Sequence, residues 1–93
     1  MAAPPPPPPP QFLPAFAWWC FARQLKQREI AEALGCSIET ARRYQLPFGA
    51  AMRRTPEPPM MDRIVAWTQG EVQPGSFYPS AEVLAAIRQR EAA

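Results

Sequence analysis

The 93 residues, with 14 prolines, two cysteines, no histidine and a formal net charge of +2, bound the chain to one small domain. They exclude histidine-dependent catalysis and a mixed Cys/His zinc centre. The net charge says little about nucleic acid until the charges are placed along the chain.

The chain opens MAAPPPPPPPQ, in which seven successive prolines remove backbone donors and enforce an extended backbone. Residues 1–11 are therefore expected to be a disordered polyproline tail. About 80 residues remain, and a domain that small buries only about 60% of its unfolded surface, so a second copy would add stability. A homodimer is the expectation. The later prolines fall at boundaries, around Pro56 to Pro59 and at Pro74 and Pro79, whereas Pro14 suits the first turn of a helix.

Phe12 to Ala22, FLPAFAWWCFA, places Phe12, Phe16, Trp19 and Cys20 on one helical face. The segment is too short to span a membrane. It reads as the first helix of the domain, packed against Ile30 and Leu34. Trp18 and Phe21 fall on another face, and large apolar residues off the core mark an interface.

Gln27 to Tyr44, QREIAEALGCSIETARRY, carries the strongest signal in the chain. Ile30 and Leu34 share a helical face with Ala31 beside them, while Gln27, Arg28, Glu29 and Glu32 lie opposite. Gly35 supplies a residue free to take positive φ at the helix end, and Ser37 offers a cap to the next helix. The second helix, expected over residues 38–45, turns Ala41 and Tyr44 inward together with Cys36. It leaves Ile38, Glu39, Thr40, Arg42 and Arg43 outside. Two short helices joined by so tight a connection form a helix-turn-helix.

These residues resemble the lambda-repressor-like family of phage Cro and repressor domains. The resemblance rests on Gln27, Ala31 four positions on, Gly35 eight on, and apolar residues at Ile30, Leu34, Cys36, Ala41 and Tyr44. Lys26 stands where the family has a Ser or Thr cap, and Ala41 where it has Val or Ile. The resemblance implies that Gln27 contacts phosphate and braces the second helix, which enters the DNA major groove. It extends over roughly residues 13–79, because WTQGEVQPGSFYPS is similar to the run that follows the last core helix in small Cro-like regulators.

Charge placement agrees with this reading. From Arg23 to Arg54 there are seven basic and three acidic residues, a net +4, against three basic and five acidic in the remainder. The loop after the second helix, QLPFGAAMRRTPEPP, carries Arg53 and Arg54 where they would reach a DNA backbone. Beyond Pro58 and Pro59, a helix from Met60 to Thr68 is expected with Met60, Ile64 and Trp67 in a stripe, and Gly70 as its stop. Glu71 to Gln73 should be extended, Pro74-Gly75 a turn, and Phe77-Tyr78 an apolar hook on the core. Ser80 caps a last helix with Val83, Leu84 and Ile87 on one face.

Cys20 and Cys36 lack metal-ligand spacing and are expected to be buried free thiols, as in a reducing bacterial cytoplasm. No secretory signal pattern is expected, nor is any membrane association. The expected fold is all-α: a compact four- to five-helix helix-turn-helix domain over residues 12–79, with residues 80–93 a helix placed for a dimer contact. The expected function is sequence-specific binding of operator-type double-stranded DNA by a Cro-like repressor of phage or prophage type, lying with the nucleoid. Gln27, Arg28, Ser37, Ile38, Glu39, Thr40, Arg42, Arg43, Arg53 and Arg54 would form its surface. Arg43 would grip a guanine, Arg42 a phosphate, and Ile38 a thymine methyl. No catalytic residue, metal, cofactor or small-molecule substrate is expected, because no nucleophile is paired with a base and no glycine-rich loop cradles phosphate. The alternative is a protein-interaction module or antitoxin-type protein using the polyproline tail and the Trp18/Phe21 face.

Overall fold

The computed structural model describes residues 10–92, so the polyproline tail expected at residues 1–11 lies outside it at positions 1–9. Pro10 and Gln11 instead join Phe12 in a 3₁₀ turn, and the Phe12 carbonyl accepts the Phe48 N–H at 2.7 Å. Five α-helices follow: α1 Ala15–Ala22, α2 Gln27–Leu34, α3 Ile38–Tyr44, α4 Pro58–Trp67 and α5 Ala81–Ala92. The described residues contain no strand and are all-helical in class. None of these helices is long and apolar enough to cross a membrane.

Helix α1 is apolar almost throughout, and Phe16 and Cys20 are its buried residues. Pro14 precedes it in extended conformation rather than in its first turn, and Phe12 stays in the 3₁₀ turn. Phe16 is fully buried and meets Trp67 edge-on at 6.3 Å and Phe77 at 6.0 Å between ring centres. Ile30, Ala31 and Leu34 from α2, Ala41 and Tyr44 from α3, and Ile64 from α4 complete one continuous core around it.

The ends of α2 are settled by specific partners. Lys26 cannot return a side-chain acceptor, but its own N–H donates to Glu29 Oε1 at 3.2 Å, which supplies half of a capping box. At the other end Gly35 takes φ +69°, and the N–H groups of Gly35 and Cys36 donate to the carbonyls of Glu32 and Ala31. Arg63 of α4 donates from Nη1 to the Leu34 carbonyl at 3.0 Å, satisfying another carbonyl that the helix leaves open. A Cβ at position 35 would stand 3.0 Å from that same Nη1. Gly35→Ala is therefore expected to cost about 1 to 2 kcal/mol, chiefly through the left-handed backbone. A urea-unfolding midpoint unchanged from the parent would contradict this.

Ser37 caps α3, its Oγ accepting the Thr40 N–H at 3.0 Å. The chain then crosses residues 45–57, where Phe48 is buried and the Arg54 N–H donates to the Arg43 carbonyl at 3.2 Å. Helix α4 starts two residues earlier than the pattern predicts, because Pro58 and Pro59 occupy its first turn, where no N–H is needed. Met61 and Ile64 are its buried residues, with Met60 and Trp67 packed at the margin.

After α4, Gln69 and Gly70 both take positive φ and reverse the chain. The buried Thr68 hydroxyl donates to the Ile64 carbonyl at 2.8 Å and accepts the Val72 N–H at 3.2 Å, pinning Val72 into the core. Pro74–Phe77 forms a second 3₁₀ turn. Only half of the expected hook packs: Phe77 is fully buried, but Tyr78 is 61% exposed. The backbone turn that buries Phe77 sends its neighbour outward. Helix α5 is capped by Ser80 Oγ, which accepts the Val83 N–H at 3.2 Å. Its stripe finds part of its cover within the same chain: Val83 is buried, and Ile87 lies so close to Gly49 that a Cβ there would meet it at 3.2 Å.

Candidate nucleic-acid interface

The closely packed pair α2 and α3 presents the surface on which most of the expected site residues meet. Three residues, Gly35 to Ser37, join the two helices. Gln45 Nε2 donates to Gln27 Oε1 at 2.8 Å and to the Ala41 carbonyl at 2.9 Å. The amide of Gln27, at the start of α2, thereby fastens the end of α3. Periodicity could not find this bond, since it reports which face a residue occupies and not its polar partner 18 residues away.

On the outer side of α3, Ile38, Glu39 and Arg42 are exposed, while Thr40 and Arg43 are half-buried. Ser37 and Thr40 are engaged with each other, the Ser37 hydroxyl donating to Thr40 Oγ1 at 2.9 Å, so both serve the cap. Arg43 Nε donates to Glu39 Oε1 at 3.3 Å, one helical turn away. An exposed pair of this kind adds little stability. With Nε engaged, the two terminal nitrogens of Arg43 have no hydrogen-bond partner among the described residues. Arg28 and Arg42 are exposed and have no carboxylate partner among the described residues.

Two arginines counted with the positive region do other work. Arg53, expected on a DNA backbone, is turned inward: it donates to the Phe77 carbonyl and to Thr55 Oγ1, and its guanidinium lies 4.6 Å from the centre of the Phe48 ring. Burial lowers its pKa. This corrects the sequence expectation, and the cause is a partner 24 residues further along the chain. Arg53→Ala is expected to destabilise the fold by about 1.5 to 3 kcal/mol, the range for a hydrogen bond to a charged group. Urea unfolding checks it, and loss of an outward charge without loss of stability would restore the first expectation. Arg23 pairs with Glu71 at 2.6 Å and stacks 3.9 Å from the centre of the Trp19 ring. Trp19 Nε1 donates to the same carboxylate at 2.5 Å. Arg54 remains exposed, 3.9 Å from Glu57.

The cysteines also separate. Cys20 is buried and its thiol is pushed up to about 12 by that burial, against a smaller opposing effect of Arg23. Cys36, expected to be buried, is half-buried at the α2–α3 connection. The free outward cations of the region are thus Lys26, Arg28 and Arg42, with Arg43 and Arg54 in loose pairs.

Comparison with protein-family models, with curated proteins and with solved structures finds no match to this chain.

Proposed function

We propose that this chain binds double-stranded DNA, with α2 and α3 working as a helix-turn-helix of the lambda-repressor type. The observation that carries the reading is the outer face of α3: Ile38, Glu39, Arg42 and Arg43 lie together on a helix fastened at its start by Ser37 and at its end by the Gln27–Gln45 amide pair. A helix presented in this way enters the major groove with its side chains toward base edges. The Arg43 fork reads guanine O6 and N7, and Ile38 meets a thymine methyl. Lys26, Arg28, Arg42 and Arg54 neutralise backbone phosphates. Glu39 acts through Arg43 by holding it in place.

The protein functions as a small transcriptional repressor, and two copies engage a site of two-fold symmetry. Four phosphate contacts per copy give a slope of about −3 to −4 in a plot of log affinity against log salt for one protomer, so affinity falls about a hundredfold between roughly 50 and 200 mM salt. Anisotropy of a labelled duplex measures it. A slope near zero would contradict the proposal.

A further inference from the structure

Between α1 and the α2–α3 pair runs a groove of about 300 Å³. One wall is apolar and aromatic, made by Leu13, Ala17, Trp18, Phe21 and Leu25, and the other is formed by Gln27, Arg42, Gln45 and Leu46. Three features point to an occupant. Phe21 is 67% exposed at the groove, held edge-on to Trp18 at 5.8 Å, which is an unfavourable place for a large ring facing only water. Trp18 Nε1 is buried and has no acceptor among the described residues, although a buried N–H without a partner is costly. No carboxylate lines the groove, and its one charged side chain, Arg42, has no ion-pair partner among the described residues.

We infer that the groove is a binding site for a small aromatic carboxylate acting as an effector. The volume lies at the lower end for small-ligand sites, and the lining has their usual character of apolar walls with few polar groups. The aromatic body lies against Trp18 and Phe21, and the carboxylate pairs with the Arg42 guanidinium, a charge-assisted contact of the strong kind.

Arg42 also belongs to the DNA face, and Gln27 and Gln45 border both surfaces. The ligand therefore withdraws a phosphate contact and adds negative charge beside the duplex. It weakens DNA binding, and DNA weakens ligand binding by the same factor. This coupling rests on the DNA-binding reading above; the site itself does not.

The test uses the full chain, labelled with ¹⁵N, and follows the Trp18 indole N–H resonance, assigned with Trp18→Phe. The probes are 2-naphthoate and its uncharged analogue 2-naphthamide. Naphthoate is expected to move the Trp18 signal with Kd below about 1 mM. It should bind about fivefold tighter than naphthamide, and Arg42→Gln should erase that gap. Saturating naphthoate should weaken duplex binding about fivefold in the parent and not in Arg42→Gln. A Trp18 signal that naphthoate leaves unmoved, or a gap that survives Arg42→Gln, overturns the site. Shifts that follow protein concentration without ligand would assign the groove to a second copy and overturn it as well. Ligand binding with unchanged duplex affinity overturns only the coupling, and a chain that binds naphthoate but no DNA refutes the DNA reading while the site stands.

Discussion

Phe16→Ala is expected to remove about 3 to 5 kcal/mol of stability, the usual cost of truncating a fully enclosed aromatic ring. Phe16 has no exposed surface, and its ring touches Trp67 at the end of α4 and Phe77 in the turn beyond it. Helix α1 is thus joined through one side chain to the end of α4 and to the turn that follows it, some fifty residues further along the chain. At about 0.05 to 0.15 kcal/mol per residue, a domain of this size holds only about 4 to 12 kcal/mol in total, so the loss is about a quarter of that or more. Thermal and urea unfolding followed by circular dichroism measure the loss. Phe16→Leu, which keeps most of the volume, should cost less than half as much. If both variants unfolded like the parent, Phe16 would not be the centre of the core.

Arg43→Ala is expected to weaken binding to a cognate duplex by about 1 to 3 kcal/mol and to relax preference at a single base pair. Arg28→Ala should instead weaken all sequences nearly alike and reduce the salt slope by about one. The contrast follows from geometry. Arg43 is held by Glu39 at 3.3 Å on the outer face of α3, whereas Arg28 projects freely from α2. Competition of matched against scrambled duplexes separates the two effects. Equal losses on both duplexes for Arg43→Ala would remove it from base reading.

The α2–α3 unit was legible because its determinants are local. Ala41 and Tyr44 are buried, Gly35 takes the left-handed conformation and Ser37 caps, all from residues within a few positions of one another. Helix α3 ends one residue short of the expected position, where Gln45 turns back toward Gln27. What escaped the sequence were polar contacts across the fold. The inward Arg53, the Arg63 cap on Leu34 and the Glu71 carboxylate shared by Trp19 and Arg23 each join groups 24 to 52 residues apart. Spacing carries no record of such partners. Charge counted along the chain for that reason overstates the free positive surface, since Arg53 is turned inward and Arg23 is neutralised by Glu71. Tyr78 shows the same limit, because its exposure depends on how the turn around Phe77 sits against the core.

On this proposal the outer face of α3 reads DNA sequence. Selection of bound duplexes from a random pool tests it most directly. The expected result is an enriched motif of two-fold symmetry whose half-sites lie about 10 base pairs apart centre to centre, with a guanine in each half-site that Arg43→Ala no longer requires. A pool that yields no motif after repeated rounds, with the parent chain folded, would contradict it.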